Sequence, residues 1–60
     1  MTYLEAVEKV KEGELVKLPY FEGIFKWDYG KKKMIFNNND FYCDADKLDI
    51  LNRTDFYYII

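Results

Sequence analysis

The chain has to stabilise a fold of sixty residues with one cysteine and no histidine. A domain of this size buries only about 60% of its unfolded surface, so small scaffolds usually need a disulfide, a metal ion or a partner subunit. A single cysteine forms no disulfide within the chain, and a structural zinc site needs several Cys or His ligands. Self-association is the device that remains, and an unusually aromatic core is the alternative to it. We therefore expect one domain over residues 1–60 that forms a homodimer.

Aromatic side chains are abundant: the chain has six tyrosines, five phenylalanines and one tryptophan. Such side chains supply large contact areas at low entropic cost and dominate binding interfaces. Histidine, serine and glutamine are absent, and the one thiol, Cys43, has no histidine to activate it. The composition therefore indicates a non-catalytic binding protein, with Cys43 as a small apolar residue.

The charge pattern excludes several classes of site. The net charge is −2, which is too mild for a nucleic-acid binder with a basic face. Asp44-Ala45-Asp46 resembles the start of a calcium loop, but the glycine and distal glutamate of that motif are missing, so we expect no metal site. The sequence suggests no cofactor. It contains no apolar run of about 18 residues and no secretion signal, so we expect a cytoplasmic protein that does not enter a membrane.

The first segment predicts a helix over residues 3–12. Thr2 and Glu5 form a capping box, and Tyr3, Val7 and Val10 recur at helical spacing. Gly13 follows at the position where a residue in the left-handed conformation commonly ends a helix.

The middle of the chain predicts three antiparallel strands, at Glu14–Leu18, Gly23–Tyr29 and Lys32–Phe36. Alternation puts Phe25, Trp27 and Tyr29 on one face of the second strand. Gly30-Lys31 is the expected hairpin tip, because glycine tolerates a positive φ. Phe25 and Ile35 lie on opposite faces of the predicted sheet. Both side chains need to be buried, and one short helix covers only one face.

The last third predicts a short helix and a final strand. A brief strand at Phe41–Cys43 is a further option, and Asp44 or Asp46 is expected to cap a helix that runs to about Leu51. Phe56–Ile60 is expected to be a strand covered on both faces. The predicted fold class is α+β, with an N-terminal helix packed on a small, mainly antiparallel sheet in the order α-β-β-β-α-β.

Binding is expected to use aromatic and apolar residues of the strands and turns, with the dimer interface in the final strand or in Gly23–Tyr29. The candidate binding residues are Tyr20, Phe21, Trp27, Tyr29, Tyr57 and Ile59. An alternative function is a small nucleic-acid accessory module, in which Trp27 and Tyr29 stack on bases beside Lys31-Lys32-Lys33. The same lysines also suit a solvated turn that discourages aggregation. A third possibility is a structural or regulatory subunit of a larger assembly.

Two stretches resemble small phage proteins of the Thoeris anti-defence family. Residues 3–18, YLEAVEKVKEGELVKL, are similar to the family's opening helix, Lys-x-Gly stop and strand. Residues 44–60, DADKLDILNRTDFYYII, are similar to its closing acidic helix, Asp-aromatic pair and terminal strand. The family has tryptophan where this chain has Tyr20-Phe21, and again where it has Phe56.

The resemblance implies a compact, self-associating phage protein that acts in the host cytosol. Members of that family sequester a nucleotide signal between subunits. The implied function is inhibition of a bacterial anti-phage defence system, either by occupying a defence protein or by sequestering its signal. Phage inhibitors of the Gabija and Hachiman systems are comparably small, and no residue of this chain selects among these targets.

Overall fold

The computed structural model describes residues 1–48 and 53–60 and shows one helix packed on an antiparallel sheet. The elements are α1 (Tyr3–Lys11), β1 (Val16–Leu18), β2 (Phe21–Asp28), β3 (Lys33–Asn38), β4 (Phe41–Asp44), a 3₁₀ helix (Ala45–Lys47) and β5 (Tyr58–Ile59). The predicted α+β class is confirmed.

Helix α1 begins at the predicted residue and ends at Lys11, one residue before the predicted end. The backbone N–H of Glu5 donates to the Thr2 hydroxyl at 3.3 Å, and the backbone N–H of Thr2 donates to the Glu5 carboxylate at 2.9 Å. Two amides that a helix leaves without partners are satisfied in this way. Gly13 follows the helix with a φ of 101°, in the left-handed region. Ala6 and Val10 are buried against the sheet.

The sheet has the order β4-β3-β2-β1-β5. Strands β1 to β4 form a meander in which each strand pairs with the next, and β5 returns to pair with β1. Phe25 pairs with Val16 and with Phe36, so these three side chains share one face, which α1 covers. We call it the helix face, and the opposite side the open face.

The core lies between α1 and the helix face, with the Phe25 ring at its centre. Its ring centroid is 4.9 Å from that of Phe36 and 5.3 Å from that of Tyr57, and Phe25 has no exposed surface. Such tilted and edge-on contacts add to the stabilisation from burial. The buried core residues are Ala6, Val10, Val16, Leu18, Phe25, Met34, Phe36, Ala45 and Tyr57.

Gly23 allows β2 to pass close to the core. Its φ is 129°, and a Cβ placed on it would lie 2.6 Å from a ring carbon of Phe36. The pairing of β1 with β2 also shifts register here, between the pairs Val16–Phe25 and Leu18–Phe21. Only a glycine combines this backbone with this close approach.

The turn between β2 and β3, which we call the lysine turn (residues 28–33), is present, but the predicted role of Gly30 is wrong. The positive φ, 57°, falls on Lys32 instead. The Asp28 carboxylate accepts hydrogen bonds from the N–H groups of Gly30 and Lys31 at 2.9 and 3.1 Å. The Lys32 N–H donates to the Asp28 carbonyl at 2.7 Å, which closes the turn.

The last third differs from the prediction in two ways. Phe41–Asp44 forms a full strand, so four strands precede the short helix. That helix is a single 3₁₀ turn, Ala45–Lys47, and the Asp44 carboxylate faces Lys31 and Lys33 rather than capping it. The predicted continuation to Leu51 lies outside the described residues.

The predicted burial of the final strand on both faces is also wrong. Among the described strands, β5 pairs with β1 alone, which makes it an edge strand. Its side chains and those next to it are exposed at Phe56, Tyr58, Ile59 and Ile60. Ile35, which seemed to need a partner's cover, is 2% exposed on the open face of one chain.

Within residues 1–48 and 53–60, no helix is long and apolar enough to cross a membrane.

Candidate protein-binding surface

The structure separates the six candidate binding residues rather than gathering them. Tyr20 and Phe21 lie at the turn between β1 and β2, whereas Trp27 and Tyr29 lie at the opposite end of β2. Because β2 spans eight residues, the two pairs are about 20 Å or more apart. One partner surface of ordinary size therefore cannot centre on both pairs.

Tyr57 is not a surface residue. Its side chain is 2% exposed and packs edge-on against Phe25, because alternation along β5 turns it towards the helix face. Burial raises the pKa of the Tyr57 hydroxyl to about 12. Ile59 points to the same face but lies at the sheet edge, where 39% of it is exposed. A charged substitution at Tyr57 is therefore expected to unfold the chain rather than separate subunits.

Four exposed rings lie at the same end of the sheet, spread across it from β4 to β5. Tyr20 and Phe21 follow β1, Phe41 begins β4, and Phe56 precedes β5, whose register places it next to the end of β1. In a meander, alternate turns fall at the same end, which accounts for these positions. We call this surface the aromatic end; it consists of Tyr20, Phe21, Phe41 and Phe56, which are 86%, 46%, 51% and 62% exposed.

The aromatic end is supported from beneath. The Phe41 ring centroid lies 6.3 Å from that of Phe36, a core residue. The Asn38 side-chain amide donates to the Glu22 carbonyl at 3.1 Å and so joins the turn after β3 to β2. The Asp40 N–H donates to the Asn38 side chain at 3.3 Å within that turn. These contacts restrain the turn, and restraint of a binding loop lowers the entropy lost on binding.

Carboxylates accompany the rings. Glu22 follows Phe21, Asp40 precedes Phe41 and Asp55 precedes Phe56, and all three acidic residues are exposed. Rings and carboxylates together suit a partner surface that is apolar and cationic, because arginine and lysine pair with both. The same carboxylates repel phosphate groups.

The open face carries a shallow trough rather than a closed pocket. It has a volume of about 650 Å³ and is lined by both cationic and amide side chains, among them Lys17, Lys26, Asn37 and Asn39. Small-molecule sites normally enclose most of the ligand surface. A trough this open does not enclose a small molecule within one chain.

Two of the lysines in the lysine turn form ion pairs with carboxylates of the same chain. The Asp44 carboxylate lies 3.8 Å from the ammonium of Lys31 and 3.6 Å from that of Lys33, and the Lys33 ammonium lies 3.9 Å from Asp46. The Tyr42 hydroxyl donates to Asp28 at 3.0 Å. Hydrogen bonds from the N–H of Lys31 and from Tyr42 lower the pKa of the Asp28 carboxyl.

Trp27 does not form an open stacking platform beside these lysines. Its ring lies on the helix face, half-buried against the core, with the Lys11 ammonium 5.5 Å from the ring centroid. Tyr29 is exposed, but a base could stack on only this one ring of the pair. This arrangement weakens the nucleic-acid alternative.

The arrangement of Cys43 and of the acidic side chains gives little support for a catalytic site or a metal site. Cys43 is partly buried against the core, and burial raises the pKa of its thiol, which keeps it protonated near neutral pH. Across the described parts of the chain, no three His, Cys, Asp or Glu side chains lie close enough to hold a metal ion.

Sequence reasoning missed Phe41 and Phe56. Phe41 could have been found, because the Asn37–Asp40 turn and the Pro19-Tyr20 turn are alternate turns of one predicted meander. Phe56 was assigned to a covered strand, and its exposure follows from the edge position of β5, which no local pattern indicates.

Comparison with protein-family models, with curated proteins and with solved structures gives no match to this chain. Its function is therefore inferred from its own geometry and sequence.

Proposed function

We propose that this chain is a non-catalytic, phage-encoded binding protein that inhibits a bacterial anti-phage defence system by occupying a defence protein. The observation that carries the proposal is the aromatic end, where Tyr20, Phe21, Phe41 and Phe56 are exposed at one end of the sheet. Large rings left in water on so small a chain contribute little to its own stability. They are the residue type on which binding energy concentrates.

Charge complementarity supports a protein partner with a cationic, apolar patch. Glu22, Asp40 and Asp55 surround the rings with exposed carboxylates. Such complementarity accelerates association and disfavours wrong partners. Occupation of a protein is favoured over capture of a small signal within one chain, because the trough on the open face is too open to enclose a small molecule.

The resemblance to the Thoeris anti-defence family supplies the first system to test. The chain is expressed in bacteria that carry a Thoeris, Gabija or Hachiman system, and plaque formation by a sensitive phage is counted. We expect plaques to return in one of these strains. The double variant Tyr20→Lys/Phe56→Lys should abolish that effect, and the control Tyr29→Lys should retain it, because Tyr29 is 67% exposed but lies at the opposite end of β2.

Two outcomes contradict the proposal. The first is a failure of plaques to return in any of the three strains, and the second is inhibition by the folded aromatic-end variant that equals that of the parent chain. Occupation and sequestration are separated by heating the purified complex: release of an active nucleotide on denaturation would show that the signal, and not the defence protein, is bound.

The nucleic-acid alternative makes a different prediction at the lysine turn. Binding to single strands through Lys31 and Lys33 would fall steeply with salt. Both lysines already face Asp44, so we expect no measurable anisotropy change with a labelled oligonucleotide at physiological salt. A salt-sensitive signal that Lys31→Ala removes would favour the alternative.

A further inference from the structure

The outer edge of β5 offers unpaired backbone groups at one defined residue. The Ile60 N–H donates to the Leu15 carbonyl at 3.0 Å, and Val16 stands opposite Ile59. Bonded and non-bonded pairs alternate along antiparallel strands, so the N–H and C=O of Ile59 point away from β1. They face the side of the sheet on which the described chain has no further strand.

The side chains along this edge are apolar. Tyr58 stands opposite Lys17, so Tyr58 and Ile60 lie on the open face, while Ile59 lies on the helix face with Val16. The exposed fractions are 44% for Tyr58, 39% for Ile59 and 61% for Ile60. An apolar, uncharged edge lacks the devices with which proteins usually prevent strand pairing.

The amino group of Met1 restricts how another strand could pair. It donates to the Tyr57 carbonyl at 2.7 Å and to the Asp55 carbonyl at 3.0 Å. A register that needs the Tyr57 carbonyl would have to displace it. The register centred on Ile59 uses neither carbonyl.

We infer that two copies of this chain pair β5 to β5, antiparallel, about a twofold axis at Ile59. Each Ile59 N–H donates to the Ile59 carbonyl of the other copy, and the two sheets become one sheet of ten strands. Tyr58 of each copy stands opposite Ile60 of the other on the open face. This self-complementary pairing is what a twofold interface requires, and it adds burial that the small core lacks.

Sedimentation equilibrium tests the dimer with a matched pair of variants. The parent chain should change from monomer to dimer over a hundredfold range at micromolar concentration. Ile60→Lys should raise the dissociation constant at least tenfold, because it places a charge beside Tyr58 of the other copy. Asn39→Lys should leave it unchanged, because Asn39 is exposed in the turn before β4, the edge strand furthest from β5. Circular dichroism checks that both variants are folded.

Disulfide trapping tests the register, in a Cys43→Ala background that removes the native thiol. Two Ile59→Cys chains would bring their Cα atoms to about 5.5 Å, within disulfide range. Two Tyr58→Cys chains would be displaced by two residues along the strands, at about 8 Å, which is too far. We therefore expect rapid cross-linking of the Ile59→Cys variant alone.

Three results would overturn the inference. A 7.3 kDa monomer across the whole concentration range would show that β5 does not pair with itself. Equal cross-linking of both cysteine variants would show that the register centred on Ile59 is wrong. A dimer that Ile60→Lys leaves intact and Tyr20→Lys dissociates would place the interface at the aromatic end. Loss of dimerisation with retained inhibition of defence would leave the proposed function standing.

Discussion

The two ends of the sheet are built from similar residues but use them differently. Each end combines aromatic rings with charged side chains in a turn. At the lysine turn, Asp28 accepts hydrogen bonds from two backbone N–H groups. Asp44 forms ion pairs with two lysine ammonium groups. At the aromatic end, the rings of Tyr20 and Phe56 and the nearby carboxylates remain exposed to water.

The difference shows that composition does not identify a binding surface. Charged residues in one segment can pair with one another, as at the lysine turn, and are then less available to a partner. A surface becomes available when the backbone beneath it is fixed and its side chains stay unpaired, as at the aromatic end. The following predictions test this comparison, from the largest effect to the smallest.

Gly23→Ala should have the largest effect on stability, because it disturbs the packing of Phe36, which contacts Phe41 of the aromatic end. The new Cβ would lie 2.6 Å from the Phe36 ring, on a backbone that only glycine adopts easily. We expect a loss of about 3 kcal/mol in the free energy of unfolding, from strain and overpacking together. Urea denaturation measures it.

Gly13→Ala is the matched control for Gly23→Ala. Its φ of 101° is also left-handed, but no atom lies within 4 Å of the added Cβ. It should lose only about 1 kcal/mol, from backbone strain alone. Equal losses at the two glycines would show that contact with Phe36 is not what constrains β2.

Lys32→Gly should stabilise the lysine turn. Lys32 has a φ of 57°, which glycine adopts without steric strain. We expect a gain of about 0.5–1 kcal/mol, measured as a higher melting temperature. Lys31→Gly should instead lower the melting temperature, because Lys31 is not among the positive-φ residues. A loss at both positions would mean that the left-handed residue is not Lys32.

Acid should loosen the lysine turn only at a pH below the usual titration range of an aspartate. Hydrogen bonds lower the pKa of Asp28 below the usual value of 3.8, so this carboxylate stabilises the fold above that value. That contribution is lost as the pH falls through the lowered pKa. Amide chemical shifts of Gly30 and Lys31 should titrate together, with a midpoint below 3.8. In Tyr42→Phe the midpoint should rise, and in Asp28→Asn the transition should disappear.

Tyr20→Lys should have the smallest effect on stability. The side chain is 86% exposed, and substitutions at such sites usually change stability by less than about 0.5 kcal/mol. The same substitution, combined with Phe56→Lys, is expected to abolish binding. A large loss of stability would show that this ring serves the fold rather than a partner.

The elements with local signals could be predicted from the sequence. Thr2, Glu5 and Gly13 define both ends of α1, and the alternation in Phe25 and Trp27 correctly gives the helix face of β2. These signals depend on neighbouring residues only, so no knowledge of tertiary structure is needed.

The strand order could not be predicted in the same way. Tyr57 and Ile59 share one face of β5 in the sequence pattern, yet one is buried and the other is exposed at the edge. Which strand lies at an edge depends on pairing between distant segments, here β5 with β1. For the same reason the candidate site was only partly found: Tyr20 and Phe21 were identified, but Phe56 was not placed beside them.

The return of β5 to β1 has a consequence for the order of folding. The hairpins of β1 to β4 need only short loops, whereas the pairing of Val16 with Ile59 closes a loop of about forty residues, which is entropically slower. The Phe25 ring therefore becomes fully buried only after Tyr57 has packed against it. On a ribosome, the meander would emerge with its central ring uncovered, and this domain would become fully compact only after β5 had been made.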